Sequence, residues 1–149
     1  MRRGAISFTP RWSPPALGLA FALTGTVALA DPCKAIPDKG PMPAYLAPGQ
    51  TFAGPVTYVG DGDSLCVAVG KTPDQWVEVR LADFYAPELS EPGGKAAKQA
   101  LQRIALGERL VCIAGRRTYD RVAAKCTLRG VPVSALMRRA GILEGGNGR

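Results

Sequence analysis

The sequence contains no histidine, and this absence removes several kinds of chemistry. Ser-His-Asp and Cys-His catalysis, histidine-ligated zinc and imidazole proton transfer are all excluded. No Cys-x-x-Cys pair occurs either, so a cysteine-based zinc site is not expected. Any chemistry must therefore use carboxylates, guanidinium groups, hydroxyls, thiols or lysine. With 46% hydrophobic and 21% charged residues, the chain of 149 residues is expected to fold as one domain.

Long hydrophobic runs are also missing, apart from one near the N-terminus. Residues 16–30 form an apolar run of 15 residues, whereas a membrane span needs about 20. Three arginines precede this run, and it ends in Ala28-Leu29-Ala30, which has the small-x-small pattern of a cleavage site. Residues 1–30 are therefore interpreted as a secretory signal peptide, with an uncleaved anchor as the alternative.

The net charge is only mildly basic once this segment is set aside. The whole chain has 19 basic and 12 acidic residues, a formal charge of +7. Residues 1–30 contain three of the arginines and no acid, which leaves 16 basic residues against the same 12 acids, or +4. Charge by itself therefore does not establish nucleic-acid binding, since a mixed-charge surface gives the same value. We expect the remaining chain to be periplasmic or secreted, monomeric and not stably attached to a membrane.

Four cysteines, Cys33, Cys66, Cys112 and Cys126, follow the predicted signal peptide. An even number of cysteines in a small exported domain indicates disulfides. Cys112 and Cys126 lie in successive predicted strands, where cross-strand pairing can bring them together, and Cys33–Cys66 is then the remaining pair. Three connectivities are possible from the sequence, and this one is preferred.

Periodicity and turn residues predict the order of the structural elements. Residues 31–50 are rich in proline and glycine and are expected to form an irregular lead-in, 51–143 the folded domain and 144–149 a flexible tail. The predicted elements are strands over 56–59, 65–69 and 77–81, a helix over 95–106, strands over 109–113 and 122–128, and a short C-terminal helix over 133–139. This order is typical of a mainly β, α+β domain: a five-stranded OB-type barrel with one helix between strands 3 and 4.

Four short motifs place polar residues at the ends of these elements. They are Val59-Gly60-Asp61-Gly62-Asp63-Ser64-Leu65, Val79-Arg80-Leu81-Ala82, Ala86-Pro87-Glu88 and Tyr119-Asp120-Arg121. Each motif alone is also typical of a turn or of an exposed strand residue. In this order and spacing they resemble the thermonuclease (staphylococcal nuclease) family, and the resemblance covers residues 54–141. It implies an OB barrel with helices and a Ca²⁺-dependent phosphodiesterase that acts on DNA and RNA.

The resemblance also implies which residues are catalytic. Glu88 would orient or deprotonate the attacking water. Arg80 and Arg121 would hold the phosphate as planar bidentate donors, a task that lysine performs less well. Tyr119 corresponds to a family tyrosine that contacts a substrate phosphate.

The implied metal site is where this sequence departs from the family. Asp63 would ligate Ca²⁺, and the Ala86 carbonyl would add a second oxygen. The family carries a second aspartate ligand at the position of Tyr85, and a neutral phenol is a poor substitute for a carboxylate on a hard cation. Asp83, two residues earlier on the same strand face, is the nearest other acid, but strand geometry sets the two side chains about 7 Å apart, so it is not expected to replace the missing ligand. Ser64 stands for a usual threonine and keeps the hydroxyl.

Three interpretations of function remain open at this point. The first is an exported metal-dependent nuclease, weakened by the missing aspartate ligand. The second is a catalytically inactive OB module that binds nucleic acid or another anionic partner, and the third is a structural domain of the cell envelope. The family prototype also continues into a segment with substrate-contacting tyrosines that this chain lacks, so weaker stacking on single strands is expected.

Overall fold

The computed structural model describes residues 31–145, which contain six strands, two α-helices and two short 3₁₀ turns. The strands are β1 Thr51–Val59, β2 Ser64–Ala68, β3 Trp76–Leu81, β4 Arg109–Thr118, β5 Arg121–Leu128 and β6 Val131–Pro132. The helices are α1 Gly94–Ala105 and α2 Val133–Arg139, and the 3₁₀ turns are Ala44–Leu46 and Pro73–Gln75. The predicted signal peptide and residues 146–149 of the predicted tail lie outside the described residues.

The five long strands close into a barrel. Neighbouring strands follow the order β3-β2-β1-β4-β5, and β5 returns to pair in parallel with β3, while the short β6 extends the sheet beyond β5. The other pairings are antiparallel. The protein is therefore an α+β domain built on a closed, five-stranded mixed barrel with helices, which confirms the predicted OB-type architecture.

Alternation along the strands decides which side chains fill the barrel. In β3, Val77, Val79 and Leu81 are completely buried, whereas Glu78 and Arg80 between them are partly exposed. Successive strand residues point to opposite sides of a sheet, so the apolar set faces the barrel interior and the charged pair lies on its outer face. The buried side chains of β3 thus fix the strand in the core, and this leaves Glu78 and Arg80 on the outer face of the barrel.

The structure shifts some of the predicted boundaries. The first helix begins at Gly94 and ends at Ala105, one residue earlier at each end than predicted. β1 begins five residues before the predicted strand, because its first residues pair with β4, as in Phe52 opposite Cys112. Pairing with β5 likewise extends β4 to Thr118. Such long-range pairing is invisible to a local periodicity pattern.

Both predicted disulfides are present. Cys112 and Cys126 are direct cross-strand partners in β4 and β5, and Cys33–Cys66 joins the lead-in to β2. Disulfides form and persist in oxidising compartments, which indicates an extracytoplasmic location. Within residues 31–145, no helix combines the length and the apolarity that a bilayer crossing requires.

The lead-in is irregular, as predicted, but it packs closely on the barrel. Ala35 and Ile36 are buried in the core, and the Ala35 N–H donates to the Trp76 carbonyl at 3.0 Å. The Arg117 guanidinium donates to the carbonyls of Pro37 and Gly40. The N-terminal segment is therefore fixed against the start of β3.

Candidate functional site

The site begins in the turn between β1 and β2. The Asp61 carboxylate accepts the N–H groups of Asp63 and Ser64, at 3.0 and 2.7 Å, and this fixes the turn. A Cβ at Gly62 would lie 2.4 Å from the Ala86 Cβ and 2.5 Å from the Ala97 Cβ. Glycine therefore allows the turn to pack between α1 and the loop that follows β3.

This close packing brings together two motifs that are 23 residues apart. The buried Asp63 carboxylate accepts the Ala86 N–H at 3.1 Å, and the Arg80 Nη2 lies 3.8 Å from the same oxygen. Burial and, to a smaller extent, the neighbouring Asp61 carboxyl group together raise the pKa of Asp63 to about 6, against the opposing effects of the Ala86 hydrogen bond and Arg80. The Ala86 N–H and Arg80 therefore do not fully compensate the negative charge of an ionised Asp63 carboxylate.

The two arginines of the predicted site lie on the same outer face of the barrel. The parallel register places Val79 beside Val122 and Arg80 beside Ala123, so Arg121 lies diagonally from Arg80 on the same side of the sheet. Each arginine side chain is 28% exposed. The buried Nε atom of each has no hydrogen-bond partner among the described residues. Both guanidinium groups are thus only partly satisfied by hydrogen bonds within the protein, and each side chain remains partly exposed.

Glu88 follows in the loop between β3 and α1 (residues 82–93), two residues beyond the contact of Ala86 with Asp63. Its N–H donates to a Glu91 carboxylate oxygen at 2.9 Å, and a Cβ at Gly94 would lie 1.9 Å from the Glu88 carbonyl oxygen. Within residues 31–145, the partly buried Glu88 carboxylate makes no ion pair. The backbone at this acid is therefore held by local contacts, while its carboxylate forms no ion pair among the described residues.

Asp83 does not supply the missing acidic ligand. One of its carboxylate oxygens accepts the Ser134 hydroxyl of α2 at 2.7 Å, and the other is buried without a partner among the described residues. The Arg138 guanidinium donates to the Asp83 carbonyl at 2.7 Å. Asp83 therefore connects the β3–α1 loop to α2.

Tyr85 is held through its backbone by the C-terminal segment. The Tyr85 N–H donates to Glu144 at 3.3 Å, and the Tyr85 carbonyl accepts the Gly145 N–H at 2.9 Å. Arg138 pairs with Glu144 and lies 5.6 Å from the centre of the Phe84 ring. Residues 144 and 145, predicted to be a flexible tail, thus contact the site loop.

We expect Ser134→Ala to lower the free energy of unfolding by about 1.5–3 kcal/mol, because it removes a buried hydrogen bond to a carboxylate. Urea denaturation at neutral pH measures the change. Ser90→Ala, at an exposed loop position, serves as the matched control and should change stability by less than about 0.5 kcal/mol. Equal losses in the two variants would contradict a structural role for the contact between Ser134 and Asp83.

Tyr119 lies at the turn between β4 and β5 and points away from the core. It is 86% exposed and has a positive φ of 60°. Its carbonyl accepts a hydrogen bond from Arg117, which also anchors the lead-in. An exposed ring two residues before Arg121 is available to a ligand at this edge of the site.

Two acids beside Arg121 were missed by the sequence analysis. The Glu78 carboxylate lies 3.8 Å from the Arg121 Nε, and the Asp31 carboxyl group lies close enough to interact with Glu78. Burial first, then Asp31 and to a smaller extent Asp120, together raise the pKa of Glu78 to about 8 against the opposing charge of Arg121. The alternation of Glu78 with Arg80 was the signal available in the sequence, since it places both on one strand face.

The donors near Asp63 suit a hard divalent cation. The charges of the Asp61 and Asp63 carboxyl groups interact, and a cation between them would relieve the repulsion that adds to the effect of burial on the pKa of Asp63. Ala86 contacts Asp63 through its N–H. A second group of side chains, Asp31 with Cys33 and Cys66, does not suit a metal, because the two sulfurs are bonded to each other and supply no thiolate.

Comparison with known proteins does not assign this site to a family. No protein-family model matches the chain, and no curated protein matches its sequence. The function is therefore inferred from this chain's own residues and from the resemblance of their motifs.

Proposed function

We propose that this protein is an exported, metal-dependent nuclease that hydrolyses phosphodiester bonds in DNA or RNA. One observation carries the proposal: two guanidinium groups with unpartnered buried Nε atoms share a barrel face with the buried Asp63 carboxylate. A barrel whose arginines served only to make ion pairs would be expected to satisfy these donors internally. A phosphodiester group presents two anionic oxygens that a planar guanidinium group can hold with two parallel hydrogen bonds.

Each of the candidate residues has a separate role in the hydrolytic step. Glu88 accepts a proton from water as the water oxygen attacks phosphorus and the ester P–O bond breaks. Arg80 and Arg121 donate to the phosphate oxygens on which negative charge grows. The leaving oxygen takes a proton from solvent. Tyr119, at the exposed edge, contacts a neighbouring phosphate of the strand.

Asp63 and the Ala86 carbonyl would hold a divalent cation, with Asp61 beside them, and a bound Ca²⁺ would supply positive charge at the phosphate. Tyr85 stands where the family has a second acidic ligand, and Asp83 is bound to Ser134. A weak metal site is therefore part of the proposal.

The same observation also supports a second candidate, a non-catalytic OB module that binds nucleic acid. The missing acidic ligand favours this alternative, because anion binding by the arginines needs no metal. For either function we propose a periplasmic or secreted monomer without stable membrane association.

The test is a cleavage assay on the purified protein with heat-denatured DNA and with RNA, in Ca²⁺, Mg²⁺, Mn²⁺ or EDTA. We expect cleavage with at least one divalent ion and none in EDTA. Cleavage that is unchanged in EDTA would contradict the metal requirement, and no cleavage with any ion would contradict the nuclease.

Binding of a labelled single-stranded oligonucleotide separates the two candidates. Arg80→Ala with Arg121→Ala should weaken binding and reduce the slope of log affinity against log salt by about 1.4, because two phosphate contacts are lost. The matched control is Arg103→Ala with Arg129→Ala, which changes two exposed arginines elsewhere. Arginine-dependent binding without cleavage would establish the binding module. No effect of the site pair relative to the control pair would contradict both candidates.

A further inference from the structure

We infer that Glu78 is an affinity-determining residue of the site: its carboxyl group, held beside Arg121 and Asp31, competes with a phosphate group for the Arg121 guanidinium. The inference rests on the proposed function, because it assigns the competing ligand as a phosphate. It concerns a residue outside the motifs that resemble the thermonuclease family.

The parallel pairing of β3 with β5 brings Glu78 to Arg121. Val79 lies beside Val122, so the residues that precede them, Glu78 and Arg121, are neighbours on the outer face. Their side chains are 17% and 28% exposed, so water screens this pair less than a surface ion pair. The distance of 3.8 Å gives electrostatic attraction but is too long for a hydrogen bond. Glu78 therefore competes for the charge of Arg121 without fixing its guanidinium group by a hydrogen bond.

A disulfide brings the second acid to Glu78. Cys66 is the cross-strand partner of Glu78, and its bond to Cys33 fixes the lead-in on this face. The Asp31 carboxylate accepts the Cys33 N–H at 2.8 Å and lies within 4.8 Å of both sulfurs. From this position the Asp31 carboxyl group lies close enough to Glu78 for their charges to interact. Two adjacent carboxyl groups in partly buried surroundings favour sharing one proton.

The charge of this acid pair determines how strongly Arg121 is neutralised. Glu78 faces Asp31 from the lead-in, Arg121 and Asp120 from the start of β5 and its turn, and Arg80 along its own strand. Cleavage after Ala30 would also leave the α-amino group of Asp31 in this cluster, and its positive charge would oppose the upward shift at Glu78. Because burial and Asp31 raise the pKa of Glu78 to about 8, Glu78 is protonated at neutral pH and ionised above about 8. When Glu78 is protonated, the positive charge of Arg121 is available to a phosphate group. When Glu78 is ionised, its negative charge neutralises Arg121.

The expected result is a proton-linked loss of affinity. Binding of a fluorescein-labelled oligothymidylate, measured by anisotropy in EDTA, should weaken by about tenfold or more between about pH 7 and about pH 9.5. Glu78→Gln should remove this dependence, because the amide carries no negative charge at any of these pH values. Asp31→Ala should move the midpoint to lower pH, since Asp31 opposes ionisation of Glu78. Glu108→Gln, an exposed glutamate on the β4 side, should retain the wild-type profile.

A measurement that needs no nucleic acid separates failure of this inference from failure of the proposed function. In NMR titrations, the Glu78 carboxyl carbon and the Arg121 Nε should report one midpoint, near 8. If Glu78 and Arg121 titrate together but the protein binds no oligonucleotide at any pH, the proposed function is overturned. The competing ligand of Arg121 is then not a phosphate group. Oligonucleotide binding with an ordinary Glu78 titration, or with a profile that Glu78→Gln leaves unchanged, would overturn this inference alone.

Discussion

Glu88→Gln is expected to reduce metal-dependent cleavage by about 10²–10⁴-fold and to leave oligonucleotide affinity almost unchanged. Glutamine keeps the shape of the side chain but cannot accept a proton from water. The Glu88 backbone contacts, from its N–H to Glu91 and from its carbonyl to the packed Gly94, do not involve the carboxylate, so the loop should keep its conformation. Single-turnover cleavage and anisotropy on the same preparations measure the two quantities separately.

Glu108→Gln provides the matched control for this variant, because Glu108 is an exposed glutamate that pairs with Arg129 away from the site. It should cleave at the wild-type rate. A Glu88→Gln protein with unchanged cleavage would show that this acid does not act on the water. Parallel loss of binding and cleavage would instead indicate a disturbed loop.

Phe84→Ala should lower the free energy of unfolding by about 3–5 kcal/mol. Phe84 is the largest of the fully buried side chains, and it lies in the β3–α1 loop between Asp83 and Tyr85. Removing the ring leaves a cavity in the core and takes away the surface under the Arg138 guanidinium. The loop that carries Ala86 and Glu88 should therefore lose both packing and a cation–π contact.

Urea denaturation of Phe84→Ala and Tyr119→Ala compares the same aromatic-to-alanine change at a buried and an exposed site. Tyr119 is 86% exposed, so its replacement should change stability by less than about 0.5 kcal/mol. Phe84→Leu, which refills most of the space, should recover much of the loss. A similar small effect for all three variants would show that the ring is not part of the cooperative core.

The order of the elements was predictable because strand and helix periods are local properties of a sequence. Alternation along 77–81 and the helical stripe of 95–106 led to the correct element types within one or two residues at most ends. The early part of β1 and the later part of β4 were missed, since the first is a strand through its pairing with the start of β4 and the second through its pairing with β5. The two-residue strand β6 gave no periodic signal.

The candidate site shows the same division. The motifs contain the candidate residues, and the contacts of Asp63 with Arg80 and Ala86 connect three of the four motifs. The hydrogen bond between Ser134 and Asp83 and the proximity of Asp31 to Glu78 could not be predicted, because each depends on contact with an element that is distant in the chain.

The sequence by itself determined the absence of imidazole chemistry, the α+β element order and the residues that resemble a nuclease site. Only the tertiary structure decided the barrel closure, the sharing of one outer face by both arginines, and the acid pair beside Arg121. The physical reason is that composition and periodicity reflect only the properties of residues that are a few positions apart in the chain. The parallel pairing of β3 with β5 and the disulfide from Cys33 to Cys66 instead join segments about 30 to 40 residues apart, and their loop-closure cost is met by the barrel core as a whole.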